Sequence, residues 1–284
     1  MYVVSFFLLC LTLPLYAANI LTTQIHDVDI GLPGQNVLVF LKSGDVARLS
    51  QAKLKLLEKI QSRNQSSWFK LTLDDDRWIK KVQSVKVPKH TVKNHRELIG
   101  VKSLEAAFVP TTLASYEKAK EYIRESRRTI KPETQCFNRA MVWTYEWWRK
   151  HSLKSGKVLI FWSKDYVRRN EFKWWFHISP YVHVMSPEGK VVERALDVKY
   201  TSRPYEFQEW ADFHSKVDAK CMVANKYTDF ANYPYGNDCY LYRTNMYTYQ
   251  PADLEMNEAW GYTKSAFNMA EVKAAYLEAF EIQY

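Results

Sequence analysis

Tyrosine divides this chain into two unlike parts. None occurs between Ala17 and Tyr116, whereas residues 113–284 contain 17 of the 19 tyrosines and eight of the ten tryptophans. Large aromatic side chains contribute most of their area to protein cores, so an abrupt change in their number predicts two units with different interiors. We therefore predict an N-terminal domain over 18–112 and a second, aromatic-rich domain over 113–284.

The first 17 residues have the composition of a leader. They contain no charged side chain and are mostly apolar. The apolar stretch 3–15 is short for a membrane span but suits the core of a signal peptide, and Ala17 offers a small residue at the cleavage site. We expect 1–17 to be a cleaved signal peptide; the alternative is a retained membrane anchor. The mature protein is then expected to be secreted or periplasmic, without stable membrane association.

Apolar spacing predicts a smaller, mainly-β N-terminal domain followed by an α+β domain. In the first domain, 36–41 and 68–73 have the pattern of strands, 49–61 has helical spacing, and Asp74–Asp76 is typical of a turn. In the second domain we predict helices at 116–128, 135–150, 204–214 and 265–280, and strands at 157–162, 173–185, 191–199 and 240–249. A helix that precedes a run of strands is the signature of an α+β arrangement.

The charge distribution argues against nucleic acid as a partner. The formal net charge is +9, and residues 18–112 supply most of it, with 15 Lys and Arg against 9 Asp and Glu. Proteins that bind nucleic acid usually combine clustered basic residues with aromatic side chains that stack on bases. The basic part of this chain has no tyrosine, so no nucleic-acid partner is expected. A monomer is expected.

The cysteine count leaves one thiol without a partner. Cys10 lies in the leader, which leaves Cys136, Cys221 and Cys239. Exported proteins usually pair their cysteines, and an unpaired one suggests a reactive thiol. Cys221 and Cys239 lie in a loop-like stretch, and a disulfide between them closes a loop of about 18 residues, worth roughly 3 kcal/mol. The alternative is two free thiols.

Cys136 lies where a helix is predicted to begin. Thr134 is a natural N-cap, which places Cys136 in the first turn. Unpaired amides and the positive end of the helix dipole stabilise a thiolate there, the form that attacks carbonyl carbon. The alternative is that Cys136 is a small buried hydrophobic residue.

His177 and Asp197 are the candidate partners of this thiol. His177 lies in a strand of bulky residues, where it could accept the thiol proton, although a core histidine is the alternative. Asp197 ends an apolar run and could orient the imidazole; the alternatives are a turn residue or an ion pair with Lys199. His183 is roughly 20 Å along the strand from His177. No metal site and no cofactor are therefore expected.

Around these three residues the sequence resembles the bacterial protein-glutamine glutaminases (protein-glutaminases). The matching segments are Cys-Phe-Asn-Arg-Ala at 136–140, Trp-Phe-His at 175–177 and Arg-Ala-Leu-Asp at 194–197. The intervals of 41 residues from Cys136 to His177 and 20 from His177 to Asp197 are similar to those of the family. The resemblance covers roughly 113–284. One departure is that the family's well-known secreted member is rich in disulfides, whereas this chain can form one at most.

The resemblance implies a fold, an activity and a mode of control. The fold is a transglutaminase-like core, in which the helix with the nucleophilic cysteine packs on an antiparallel sheet. The activity is deamidation of exposed glutamine side chains in proteins or peptides, through a γ-glutamyl thioester on Cys136 and with release of ammonia. Residues 18–112 would be an inhibitory pro-region. The alternatives are a transglutaminase or cysteine peptidase with the same triad, or a non-catalytic exported binding protein.

Overall fold

The computed structural model of the chain contains two β-sheets and seven α-helices among the residues it describes. These are 19–53, 55–56, 67–86, 108–128, 130–131, 134–215, 219–232, 237–261 and 263–280. The predicted signal peptide lies outside the described residues, as does most of the helix predicted over 49–61, where a 3-10 turn at Gln51–Lys53 is described.

The first sheet is formed entirely by the N-terminal part of the chain. Its five strands are β1 (Asn19–Asp29), β2 (Val37–Leu41), β3 (Val46–Leu49), β4 (Trp68–Leu73) and β5 (Ile79–Val85). They are antiparallel in the order β3-β2-β1-β4-β5. The strands predicted at 36–41 and 68–73 are therefore present, and Asp74–Asp76 leads into the predicted turn, closed by the Arg77 N–H bond to the Asp74 carbonyl.

Strand β2 has a continuous apolar sequence because it is buried on both faces. Val37, Val39 and Leu41 pack inside the first sheet's own core. Leu38 and Phe40 point the other way and belong to the large core of the aromatic-rich part of the chain. Alternate residues of a strand face opposite sides, so a strand between two cores has no polar face.

The second sheet has six strands and carries both pairing directions. They are β6 (Thr112–Leu113), β7 (Gly156–Trp162), β8 (Phe176–Met185), β9 (Val191–Ala195), β10 (Cys221–Ala224) and β11 (Cys239–Thr244). The order is β10-β11-β7-β8-β6, and β9 also pairs with β8. The central pairs are antiparallel, whereas β10–β11 and β6–β8 are parallel. The mixed α/β class with antiparallel pairing is confirmed.

Seven α-helices accompany the second sheet in the described part of the chain. They are α1 (Tyr116–Glu125), α2 (Cys136–His151), α3 (Lys164–Arg169), α4 (Phe207–His214), α5 (Tyr227–Asn232), α6 (Pro251–Trp260) and α7 (Met269–Ala279). Helix α2 is buried for most of its length and packs against β8 on one side and α7 on another. None of the described helices is long and apolar enough to cross a membrane.

The two sheets meet beside the start of β8. The indole Nε1 of Trp175 donates to the carbonyl of Leu41 at 2.7 Å, and its backbone N–H donates to the carbonyl of Gly44 at 3.0 Å. The ring of His26 stacks on the Trp175 indole, with 4.3 Å between centroids. An ion pair of 2.5 Å joins Arg168 to Asp29 across the same boundary. The turn between β2 and β3 is thereby held against the second sheet.

Several local predictions differ from the structure. The strands predicted at 191–199 and 240–249 end earlier, at Ala195 and Thr244. Residues 173–175 precede β8 as an irregular segment, because two of their backbone bonds go to the β2–β3 turn, and only the Trp175 carbonyl bonds to β7. The loop-like stretch that contains Cys221 forms β10, which pairs in parallel with the predicted strand β11, so that Cys221 and Cys239 lie directly opposite each other. A short strand in polar, tyrosine-rich sequence gives a weak periodic signal, which is why β10 was not predicted.

Candidate active site

Asp197 is the centre of a buried hydrogen-bond cluster. It lies just after β9, and its side-chain oxygen Oδ2 is 2.6 Å from Nε2 of His177. Nε2 of His214 lies 2.9 Å and Nε1 of Trp210 3.0 Å from the same oxygen. Although burial opposes ionisation, the attraction of His177 and the bonds from both imidazoles hold the pKa of Asp197 well below its usual range. The carboxylate is therefore ionised and fully engaged.

This cluster favours the predicted contact with His177 over an ion pair with Lys199, although Asp197 also opens a turn, in which its carbonyl accepts from the Tyr200 N–H. The aspartate is buried, and in the described part of the chain Lys199 is not among its ion-pair partners. A buried carboxylate must be hydrogen-bonded to offset its desolvation, and here imidazole and indole N–H groups do so. The structure thus brings Asp197 to His177, as the sequence predicts.

His177 lies near the start of β8 with its side chain buried. Burial, followed by repulsion from the neighbouring His214, lowers the pKa of His177 to about 4. The ring is therefore neutral near pH 7. Because Nε2 faces Asp197 and a neutral imidazole has one donor and one acceptor, a proton on Nε2 leaves Nδ1 as the acceptor.

Cys136 is the first residue of α2 and the one free cysteine among the described residues. The N-cap position belongs to Gln135, whose side chain makes no capping bond, and the hydroxyl of Thr134 is buried without a partner. The prediction that Thr134 caps the helix is wrong by one residue. The helix start is therefore left with its backbone amides facing the thiol instead of a side-chain cap.

The thiol of Cys136 is not a thiolate in this structure. Burial raises its pKa to about 11, against the opposing effects of Arg139 and of the backbone N–H groups of Ile178 and Phe137. The expectation that the helix start would hold a thiolate is thus incomplete, because desolvation outweighs the dipole when the site is closed. The pair consists of a neutral thiol and a neutral imidazole.

Cys136 and His177 line a single cavity of about 280 Å³ between the two sheets. The second sheet and its helices contribute Arg139, Lys199 and His214 among others. The first sheet covers the opposite side with the start of β1 and the β2–β3 turn, including Ser43, Gly44 and Asp45. The reactive groups therefore face residues of the N-terminal unit across the cavity.

Sequence reasoning missed His214 and Trp210. Both lie on α4, which was predicted as a helix, but neither had a spacing relation to the other candidates. His177, Asp197 and His214 offer ligand atoms within 4.8 Å of one another, the single metal-like group in the part of the chain described. Hydrogen bonds account for that proximity, and His183 is not part of the group.

The predicted disulfide is present. Cys221 and Cys239 are bonded across the parallel pair β10–β11, with their Cα atoms 4.4 Å apart. The bridge ties the edge strand to the sheet and leaves Cys136 unpaired.

A thiol at a helix start, an imidazole across a sheet and a carboxylate that orients it are the groups of a cysteine-dependent acyl-transfer site. Comparison with known proteins narrows this class. Residues 114–214, which contain all three groups, match the model of a family described as glutaminase. The predicted resemblance to the protein-glutaminases is thereby confirmed, and so is the predicted enzyme class, a glutamine-deamidating hydrolase.

Solved structures show the same fold over nearly the whole chain. The chain is similar to the crystal structure of pro-protein-glutaminase, with a TM-score of 0.51, 11% identity, and coverage of 90% of this chain and 92% of the other. A mutant of pro-protein-glutaminase gives a TM-score of 0.53, 11% identity and 90% coverage of both chains. No curated protein matches the sequence.

Proposed function

We propose that this chain is an exported cysteine-dependent enzyme that deamidates glutamine side chains of proteins or peptides, with Cys136, His177 and Asp197 as its catalytic triad. The observation that supports this most is the buried 2.6 Å contact between His177 Nε2 and Asp197 Oδ2 beside the one free thiol of the described chain. Protein substrates are proposed from the likeness to pro-protein-glutaminase.

Acylation begins with transfer of the Cys136 proton to Nδ1 of His177. The sulfur then attacks the side-chain carbonyl carbon of glutamine, and the π electrons move to oxygen as a tetrahedral intermediate forms. Backbone amides at the start of α2 are suited to that oxyanion. The imidazolium returns its proton to nitrogen, the C–N bond breaks, and ammonia leaves a γ-glutamyl thioester on Cys136.

Deacylation uses the same groups in reverse. His177 takes a proton from water, the resulting hydroxide attacks the thioester carbon, and the C–S bond breaks. The sulfur recovers the proton from His177, and the product is glutamate. Asp197 remains ionised throughout; it fixes the imidazole tautomer and stabilises the imidazolium in both halves. We propose that the helix and sheet that carry these groups form the transglutaminase-like core implied by the resemblance.

We propose further that residues 18–112 are an inhibitory pro-region and 113–284 the catalytic domain. Support comes from the cavity, whose far wall is formed by β1 and the β2–β3 turn. Backbone bonds from Trp175 and Val46 and the Arg168–Asp29 ion pair hold that wall in place. A protein substrate could reach Cys136 only after this wall is displaced.

Export is proposed from the leader 1–17 together with the disulfide. A disulfide persists in oxidising compartments and is rare in the cytosol. Processing would then yield a mature protein without stable membrane association. No nucleic-acid partner is proposed, because the basic excess lies in the part of the chain that has no tyrosine.

Ammonia release separates the candidate functions. Residues 113–284 are compared with 18–284 on casein, with Cys136→Ala as the blank. Ammonia without backbone cleavage, increased by the absence of 18–112, supports a deamidase under pro-region control. Incorporation of a labelled amine instead indicates a transglutaminase, and casein fragments indicate a peptidase. If ammonia release is the same for Cys136→Ala, the triad is refuted; no activity in any of the assays favours a binding protein.

A further inference from the structure

Arg139 is a buried cation in the wall of the cavity. Only 2% of the residue is exposed, and it lines the same space as Cys136 and His177. Its Nη1 group donates to the carbonyl of Thr134 at 2.6 Å, and its guanidinium carbon lies 5.5 Å from the centroid of the Tyr200 ring. Its Nε–H, by contrast, is buried without a hydrogen-bond partner.

Over the described residues, no carboxylate forms an ion pair with Arg139 within 4.0 Å. Asp197 is occupied by two imidazoles and an indole, and Asp45, from the first sheet, is paired with Arg77 at 2.5 Å. Lys199 adds a second cation to the same cavity. A buried guanidinium with a free donor and no counter-charge is costly. The cavity therefore favours a negative charge that the resting structure does not supply.

We propose that Arg139 is a catalytic residue: its guanidinium is the counter-charge of the anion formed during the reaction, and its Nε–H, which has no partner in the resting structure, is a donor available to that anion. This rests on the proposed function for the identity of the substrate. The location fits, because Arg139 is one turn along α2 from Cys136 and on the same face. Its attraction for a Cys136 thiolate also opposes the effect of burial on the pKa of the thiol.

The negative charge moves from sulfur to oxygen during the acylation step. The Sγ–H bond breaks and its proton goes to Nδ1 of His177, so the charge is first on sulfur. When the S–C bond forms, the carbonyl π pair moves to oxygen and the charge moves with it. It disappears when the C=O bond re-forms and ammonia leaves with the proton from His177. A fixed cation stabilises both anions without reorganisation, which is the most effective form of electrostatic catalysis.

The test is the replacement Arg139→Met in the full chain, which removes the charge and keeps much of the volume. Arg149→Met is the matched control, because Arg149 is on the same helix, also faces an aromatic ring, and is exposed at the other end. The first readout is the rate of Cys136 alkylation by iodoacetamide between pH 8 and pH 11.5, which needs no glutamine substrate. The second is the thermal midpoint, and the third is ammonia release after proteolytic activation.

We expect Arg139→Met to slow alkylation at a given pH by at least tenfold, with a thermal midpoint equal to or above that of the wild type. Ammonia release should fall more than 100-fold, Arg139→Lys should be intermediate in both rates, and Arg149→Met should equal the wild type. Alkylation unchanged by Arg139→Met would overturn the proposal, and so would a lowered midpoint with unchanged alkylation, which indicates a structural role. If Arg139→Met slows alkylation but the wild type releases no ammonia, the role of Arg139 as counter-charge is supported and the proposed glutaminase function is refuted.

Discussion

Replacing Lys157 by methionine should stabilise this protein, and by an amount that depends on pH. Lys157 lies on β7 with no exposed surface, and its ammonium group contacts the carbonyl of Thr248 and, at 3.9 Å, the sulfur of Met141. Burial, followed by repulsion from Lys264, lowers its pKa from 10.5 to about 7. Methionine has a similar length and no charge to desolvate, so the substitution conserves volume.

The size of the effect follows from this pKa. A decrease from 10.5 to about 7 corresponds to about 5 kcal/mol of free energy that disfavours the charged form in the folded state. Below pH 7 both states carry the proton and the folded state bears the full cost. Between pH 7 and pH 10.5 the unfolded state binds more protons, so the stability of the wild type rises with pH through this window. The advantage of Lys157→Met should therefore be largest at pH 6, at up to about 5 kcal/mol, and should shrink towards pH 10.5.

Lys264 provides a matched control of opposite sign. It is equally buried, but its ammonium group lies 2.8 Å from the carboxylates of both Asp253 and Glu271. Lys264→Met leaves two buried acids without their cation and should destabilise by about 3–5 kcal/mol near neutral pH. Urea unfolding of the wild type and both variants between pH 6 and pH 10 measures the free energies. If the unfolding free energies of Lys157→Met and the wild type differ by the same amount at every pH in this range, the reasoning on Lys157 is refuted.

Three further predictions concern the site and its support. At pH 7 in the full chain, iodoacetamide should modify Cys136 about 100-fold more slowly than a thiol with the ordinary pKa of 9.0, because the pKa of Cys136 is about 11. The alkylation rate, followed by mass spectrometry, should rise until about pH 11. A rate equal to that of free cysteine at pH 7 would contradict the raised pKa of this thiol. Replacing both Cys221 and Cys239 by serine should lower the unfolding free energy by about 3 kcal/mol in urea, since the bridge closes a loop of 18 residues; an unchanged midpoint would show that β10 is held by other contacts. His214→Phe should lower kcat of the activated enzyme about tenfold with little change in KM, because it removes one of three donors to Asp197. His214→Gln retains a donor and should recover most of the lost kcat. Equal activity of the wild type and both variants would assign His214 to packing alone.

The sequence was sufficient to predict features that depend on local residue patterns, or on an order and spacing of motifs that is shared with a family. The helix that begins near Cys136, the strand of His177 and the position of Asp197 all follow from spacing, and the three groups do meet. Counting limited the chain outside the leader to one disulfide, and the shared loop-like stretch of Cys221 and Cys239 favoured that pair over one with Cys136.

What could not be predicted depends on tertiary contacts. His214 and Trp210 belong to a helix with no sequence relation to Asp197, and only the packing of α4 brings them to its carboxylate. The segment before β8 has the sequence pattern of a strand, but the Lys173 carbonyl and the Trp175 N–H bond to the β2–β3 turn. The protonation state of the Cys136 thiol could not be predicted either, because the helix start favours a thiolate and burial reverses that preference.

The cavity gives a physical reason for the proposed inhibition beyond blocked access. The raised pKa of the Cys136 thiol and the lowered pKa of the His177 imidazole both oppose proton transfer from the thiol to the imidazole. Burial is the first cause of both values, and the first sheet provides part of that burial. Displacement of β1 and the β2–β3 turn would admit water to the sulfur and to the imidazole, lowering one pKa and raising the other. Access and reactivity would then be restored by the same event, with Arg139 already in place to stabilise the thiolate.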